Sequence, residues 1–309
     1  MRLRVLGAAA GGGFPQWNCH CANCARARAG DPLARPRTQA SIAVSADGLR
    51  WVLFNASPDL PSQLRDAACL HPDPARGPRH SPLAAIVISG GDIDCIAGLL
   101  SLREGHKFVV YAADFVGDIL AQNQVFGVLN PDIVRRETLP SAGGVWLHDA
   151  AGAALGLRVE AFAVPGKIPL YQEAGHAAGE FTHERAVSGL EITDTDGRSV
   201  LFIPGCAAVT EDIRARAQRS KIMFFDGTLW HDREMIEAGL SQKTGARMGH
   251  ISISGADGSL AAFANTPIAR KIFIHINNTN PILCEDSPQA SAARQAGWEI
   301  AYDGMEMSL

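Results

Sequence analysis

Uninterrupted apolar runs that stop abruptly at polar residues constrain this chain more than any other feature. "LAAIVIS" leads into "GGDIDC", "KIMFF" into "DGT", and "RKIFI" into "HIN". Runs of this length and β-branched content read as buried strands. Helical stretches at "EDIRARAQ", "DREMIEAGL" and "GSLAAFAN" separate the later ones. In the first third, "SIAVSAD" and "GLRWVLFNAS" flank Asp47-Gly48 and read as a hairpin. "PDLPSQLRDAA" opens a helix, and another begins near Asp92, where Ile93, Ile96, Leu99 and Leu100 share a face. Antiparallel pairs followed by strands alternating with helices suit an αββα sandwich, an α/β class with two mixed sheets face to face and helices outside.

With 309 residues, 47% hydrophobic and 19% charged, the chain can bury a sizeable core. No Pro-, Ser- or Gly-rich linker divides it, so one domain over 1–309 is expected, with 71–82 as a surface loop. A formal net charge of -4 gives no electrostatic reason to expect nucleic acid. No apolar window reaches the roughly eighteen residues of a membrane span, and the N-terminal stretch lacks a signal-peptide core; a cytoplasmic protein is expected. The run "GAAAGGG" lacks dinucleotide-loop spacing, so its glycines read as places where backbones approach closely.

The seven cysteines are an odd number, and three fall within the loop 17–28 as C-x-C-x-x-C. Cys19, Cys21 and Cys24 can converge on a tetrahedral zinc, leaving one ligand to come from elsewhere. A disulfide between Cys19 and Cys21 would be strained; loop thiols without metal are the plainer alternative. "SGGDIDCIAG" sets Asp92, Asp94 and Cys95 where a strand gives way to a helix. They read either as ligands on a rigid scaffold or as an acidic helix start beside a small core cysteine. His275 is placed within an apolar strand and precedes Asn277, Asn278 and Asn280, whose amides all need partners. Asp226 and His250 suit groups that orient a ligand or a proton donor, although Asp226 also fits an ordinary Asp-Gly turn. Cys206 reads as a loop cysteine.

Together "GGGFPQWNCHCANC", "RTQASIAVS", "NASPDL", "GLLSLREG", "VPGKIPLY", "FDGTLW", "MGHISISG", "HINNTNPIL" and "YDGMEM" resemble the signatures of the pyrroloquinoline quinone biosynthesis protein B family. The resemblance implies the metallo-β-lactamase fold and a part in making a redox cofactor. It further implies an iron-dependent hydroxylase that uses O2 on the tyrosine ring of a cross-linked glutamate–tyrosine precursor, working beside other proteins of the pathway. An older description of the family implies instead a carrier that helps move the quinone or its precursor towards the periplasm. The fold's H-x-H-x-D-H motif falls on Gly90 to Cys95, keeping only Asp94; Gly90 and Asp92 replace the first two histidines, and Cys95 the last. Resembling members usually carry histidine at that last position. The final ligand histidine corresponds to His275, and the bridging aspartate to Cys206.

A two-metal hydrolytic site needs about five to seven side-chain ligands, and three are obvious here, which disfavours a hydrolase. The expected site is one metal, Fe2+ or Zn2+, at Asp94, Cys95 and His275, assisted by Asp226 and His250. Related cyclic phosphodiesterases close their cysteine zinc with a histidine where this chain has Asn278, so water, Asn278 or another residue completes it. The terminal "AYDGMEMSL" serves either a homodimer or the core.

Overall fold

The computed structural model describes residues 1–174 and 185–309. Its strands are β1 (Arg2–Gly7), β2 (Ser41–Ser45), β3 (Trp51–Phe54), β4 (Leu83–Ile88), β5 (Val109–Ala113), β6 (Arg135–Leu139) and β7 (Val145–His148). They continue with β8 (Ala154–Ala163), β9 (Ser188–Asp194), β10 (Ser199–Ile203), β11 (Ile222–Asp226), β12 (Arg270–Ile274), β13 (Trp298–Ile300) and β14 (Glu306–Ser308). Two seven-stranded sheets form, in the orders β14-β1-β2-β3-β4-β5-β6 and β13-β12-β11-β10-β9-β8-β7. β3 to β6 run parallel in the first sheet, and β10 to β13 in the second. Antiparallel pairs complete each sheet.

The continuous apolar runs follow from covering both faces of the parallel strands. Phe54 of β3 meets Phe202 of β10 edge-on across the sheet interface at 6.4 Å, and Phe202 meets Phe224 of β11 at 6.5 Å. The next residue along, Phe225, turns to the opposite face and packs on Phe263, 5.1 Å away, beneath the outer helices. There Phe273 of β12 stacks on Trp298 at 4.0 Å. On the other sheet, Leu53, Ile86 and Ile88 face an outer layer with Ile96, Leu99 and Ile119.

The helix expected near Asp92 starts at Ile93 but stays α-helical only to Ile96, then tightens into a 3-10 turn, Ala97–Ser101. Gly98 explains the tightening: a Cβ there would lie 2.2 Å from the Ser57 carbonyl, so the turn is pressed directly on the Ala56–Ser57 backbone. Loop 71–82 is mostly exposed, with a short 3-10 turn at Pro74–Arg76.

The C-terminal residues close the first sheet. Met305 and Met307 are buried, and β14 pairs with β1. Asp303 accepts hydrogen bonds from the amides of Ala8 (3.1 Å) and Thr38 (2.7 Å) and from Thr38 Oγ1 (2.7 Å). Asp303→Ala strands two amides at a largely buried position, so unfolding free energy in urea is expected to fall by about 2–4 kcal/mol. A change below about 0.5 kcal/mol would show that water replaces the carboxylate there.

β4, β11 and β12 deliver polar residues at their carboxyl ends, and Cys206 follows β10, at the edge where open α/β sheets form crevices. Ala9 bridges to both Gln39 and Ile276, and Gly90 bridges to Val187, so the two sheets are tied together at this end. Gly7 lets the end of β1 press against the segment leading into β2, because a Cβ on it would sit 2.2 Å from the Gln39 carbonyl. Among the described residues, no helix is long and apolar enough to cross a membrane.

Candidate metal centre

A cleft of about 410 Å³ opens where these strand ends meet, and Asp94, Cys95, His250 and His275 line it. β12 ends at Ile274, so His275 lies just beyond the strand and not within it as expected. His275 leaves the strand with φ +58, and Asn55, beside β3, has φ +66. Positive φ is uncommon for residues other than glycine and is often found at functional sites. The left-handed turn swings the imidazole off the sheet, with Nε2 2.9 Å from Asp94 Oδ2. Asn55 in turn holds Ser89, accepting from its amide (2.9 Å) and hydroxyl (3.0 Å).

Behind the imidazoles stands a polar support. His250 Nδ1 lies 2.7 Å from Asp226 Oδ2. Thr228 Oγ1 donates to Asp226 Oδ1 at 2.7 Å and lies 2.8 Å from His275 Nδ1. One hydroxyl proton given to Asp226 leaves Thr228 as acceptor for the His275 Nδ1–H. The two rings stack at 5.2 Å with 22° between planes. Both Nδ1 atoms face Asp226 and Thr228, so both Nε2 atoms lie on the other side of their rings. Nδ1-protonated imidazoles backed in this way are arranged to present Nε2 to a metal.

Burial opposes ionisation of Asp94, but the His275 hydrogen bond and charge outweigh it, so the carboxyl stays below its usual range. Burial likewise works against a charged His275, and Asp94 overcomes it, raising the imidazole. Asp226 is fully buried; its desolvation is outweighed by His250, His275 and Thr228, and it too stays ionised more readily than usual. Cys95 behaves oppositely. Burial, reinforced by the Asp94 and Asp92 charges, pushes its thiol well above the ordinary value. Burial and the nearby Asp226 push Cys206 up to about 12, and its sulfur donates to the Ala208 carbonyl at 3.0 Å.

The compact ligand-capable group is thus Asp226, His250 and His275, with mutually close donor atoms, and Asp94 touches it through His275. Cys95 lines the same cleft, but the structure does not bring it into that group. Thr228 is the residue that sequence reasoning passed over: it lies two positions beyond Asp226 in "FFDGTLW", and only the fold makes it the common partner of both histidines.

The second compact group is Cys19, Cys21 and Cys24. Asn278 Nδ2 reaches their sulfurs at 3.1, 3.7 and 3.4 Å respectively. Burial disfavours the Cys19 thiolate, yet the Cys21 amide and the neighbouring thiols and amide lower its pKa, while burial lifts Cys21 to about 11. A sulfur trio in which one charge makes the next harder to form suits a bound cation. Asn23 Nδ2 fastens the loop onto the carbonyls of Asn278 (3.2 Å), Thr279 (3.0 Å) and Asn280 (3.1 Å), just beyond His275. All seven cysteines are free of disulfides.

Comparison with known proteins agrees with this architecture. The family model for the beta-lactamase superfamily domain matches residues 50–276. Coenzyme PQQ synthesis protein B from Xanthomonas campestris pv. campestris (strain B100) is 50% identical over 309 residues, spanning the whole of both chains. The protein of that name from Gluconacetobacter diazotrophicus is 49% identical over 306 residues, 99% of each chain. Among solved structures, zinc-bound PqqB from Methylobacterium extorquens superposes with a TM-score of 0.93 at 45% identity, covering 100% of both chains. The two mixed sheets flanked by helices are the metallo-β-lactamase fold. On full-length identity of this order, the chain belongs to the coenzyme PQQ synthesis protein B family.

Proposed function

We propose that this chain serves pyrroloquinoline quinone biosynthesis as a mononuclear metal-dependent oxygenase that hydroxylates the tyrosine ring of a cross-linked glutamate–tyrosine precursor. The observation that carries the reading is the floor of the cleft, where His275 meets Asp94 beside the stacked His250. Two imidazoles and a carboxylate match the chemistry of a non-haem Fe(II) site. Asp94, His275 and His250 would hold the metal, with Asp226 and Thr228 behind them. Cys95, the ligand expected from sequence, would then be a neutral wall residue.

Bound there, ferrous iron would supply the activation of dioxygen. The protein's own part is orientation and exclusion. Asp226 and Thr228 keep each Nδ1 engaged, which holds the rings in register. Leu170, Val187, Met235 and Met248 line the cleft with apolar surface on which a phenol ring can lie. The same proposal gives the cysteine loop a zinc, held by Cys19, Cys21 and Cys24 with Asn278 as the nearest fourth side chain.

Four replaced positions of the fold's metal motifs (Gly90, Asp92, Cys95 and Cys206) favour the second reading, a carrier for the quinone or its precursor. Oxygen uptake separates the two. Protein loaded anaerobically with iron and given the peptide-derived precursor is expected to consume oxygen and yield a ring-hydroxylated product detected by mass. Tight precursor binding without uptake, with iron and with zinc alike, would replace the oxygenase by the carrier.

A further inference from the structure

The mouth of the cleft carries a charge arrangement that the metal floor does not explain. Lys167 and Lys243 both line the cleft. Between them lies Glu173, whose carboxylate meets Lys167 Nζ at 3.0 Å, Arg247 Nη2 at 2.9 Å and Lys243 Nζ at 3.8 Å. Glu173 is itself largely covered, its side chain only 11% exposed. The Arg247 hydrogen bond, aided by the lysines, holds its carboxyl down at about 2.

The placement is built rather than incidental. Gly249 has φ +86, and a Cβ on it would come within 3.2 Å of Lys167 Cγ, so the glycine lets the lysine stem pass directly beside His250. Glu173 follows the turn Leu170–Gln172. That turn is pinned to the floor by Tyr171, whose hydroxyl donates to the Gly91 carbonyl at 2.6 Å. The cleft lining thus combines acidic side chains, Asp92 and Asp94, with basic ones, Lys167 and Lys243, and with apolar surface.

We propose that Lys167, Lys243 and Arg247 form a carboxylate-binding subsite, and that Glu173 occupies it until a polycarboxylate ligand displaces it. The inference rests on the reading above in taking that ligand to be the pathway's own. A carboxylate of the ligand exchanges for that of Glu173, so the cations are never left unpaired, and a ligand anchored there extends along the apolar lining of the cleft. The aromatic portion is thereby aimed at the histidines. Exchange of one carboxylate for another also makes the intrinsic Glu173 a competitor, which weakens binding in the wild type.

Calorimetric titration of the full chain with two probes, citrate and pyrroloquinoline quinone, tests this at low and at physiological salt. For both, Lys167→Gln/Lys243→Gln is expected to weaken binding about tenfold or more. Glu173→Gln is expected to tighten it several-fold, an effect opposite in sign to any loss of folding. Both responses should shrink as salt screens the exposed lysine. If citrate follows the cations but the quinone does not bind, the subsite stands and the pathway reading falls. If the quinone binds without regard to the three charges, or neither probe responds to them, the subsite is overturned.

Discussion

His275→Ala is expected to remove the metal from the cleft floor and abolish turnover, while the cysteine loop keeps its zinc. His275 joins the two halves of the floor, with Nε2 at Asp94 and Nδ1 at Thr228. Loss of a residue that merely supports a ligand typically costs 10–100-fold in metal affinity, so loss of the ligand itself should exceed about 100-fold. Metal analysis after anaerobic loading with iron and zinc checks the expectation. One metal per chain should vanish and the other remain. The fold should survive, because alanine fits the space, although it inherits the strained φ of +58. Glycine does not, so His275→Gly should be the more stable of the two by about 1 kcal/mol while losing the same metal. A metal count unchanged in both variants would move the site away from His275.

The long parallel strands were legible because the structure buries both their faces: β4, β10 and β11 are buried at every position. The edges were not. β6 is "RRETL", exposed at four of its five positions, and it becomes a strand only because β5 offers it a hydrogen-bonding edge. β13 and β14 are three residues each, too short for any periodicity to register. At the site, the residue types at strand ends were readable, but their aim was not. His275 looked like a strand residue because "KIFIHIN" carries no mark of a left-handed turn. Thr228 was hidden by chemistry: a hydroxyl after Asp-Gly is ordinary in a turn, and its partners His250 and His275 are 22 and 47 residues away. Glu173 escaped notice for the same reason, since two of its cations, Lys243 and Arg247, come from a segment some seventy residues away.

Cys24→Ser should strip the zinc proposed for the loop and reach the floor of the cleft indirectly. Cys24 is fully buried, and its sulfur shares the Asn278 amide with Cys19 and Cys21. In zinc-finger peptides the metal contributes about 10–16 kcal/mol of folding free energy. Here the cost should be much smaller, because the loop is also held by Asn23 and by Arg28, which donates to the carbonyls of Gln16 and Cys19. A loss of about 3 kcal/mol is expected, seen as a thermal midpoint lowered by roughly 5 °C. The segment Asn278–Asn280 that Asn23 grips begins three residues after His275. Loosening it should therefore let His275 wander and weaken the floor metal by about tenfold, the scale of a lost supporting contact. Asn278→His should act in the opposite direction, adding an imidazole at the sulfur trio and tightening its zinc. A Cys24→Ser protein that keeps its full zinc and its midpoint would mean that the three thiols are only core packing. The cleft floor would then be the one proposed metal site left among the described residues.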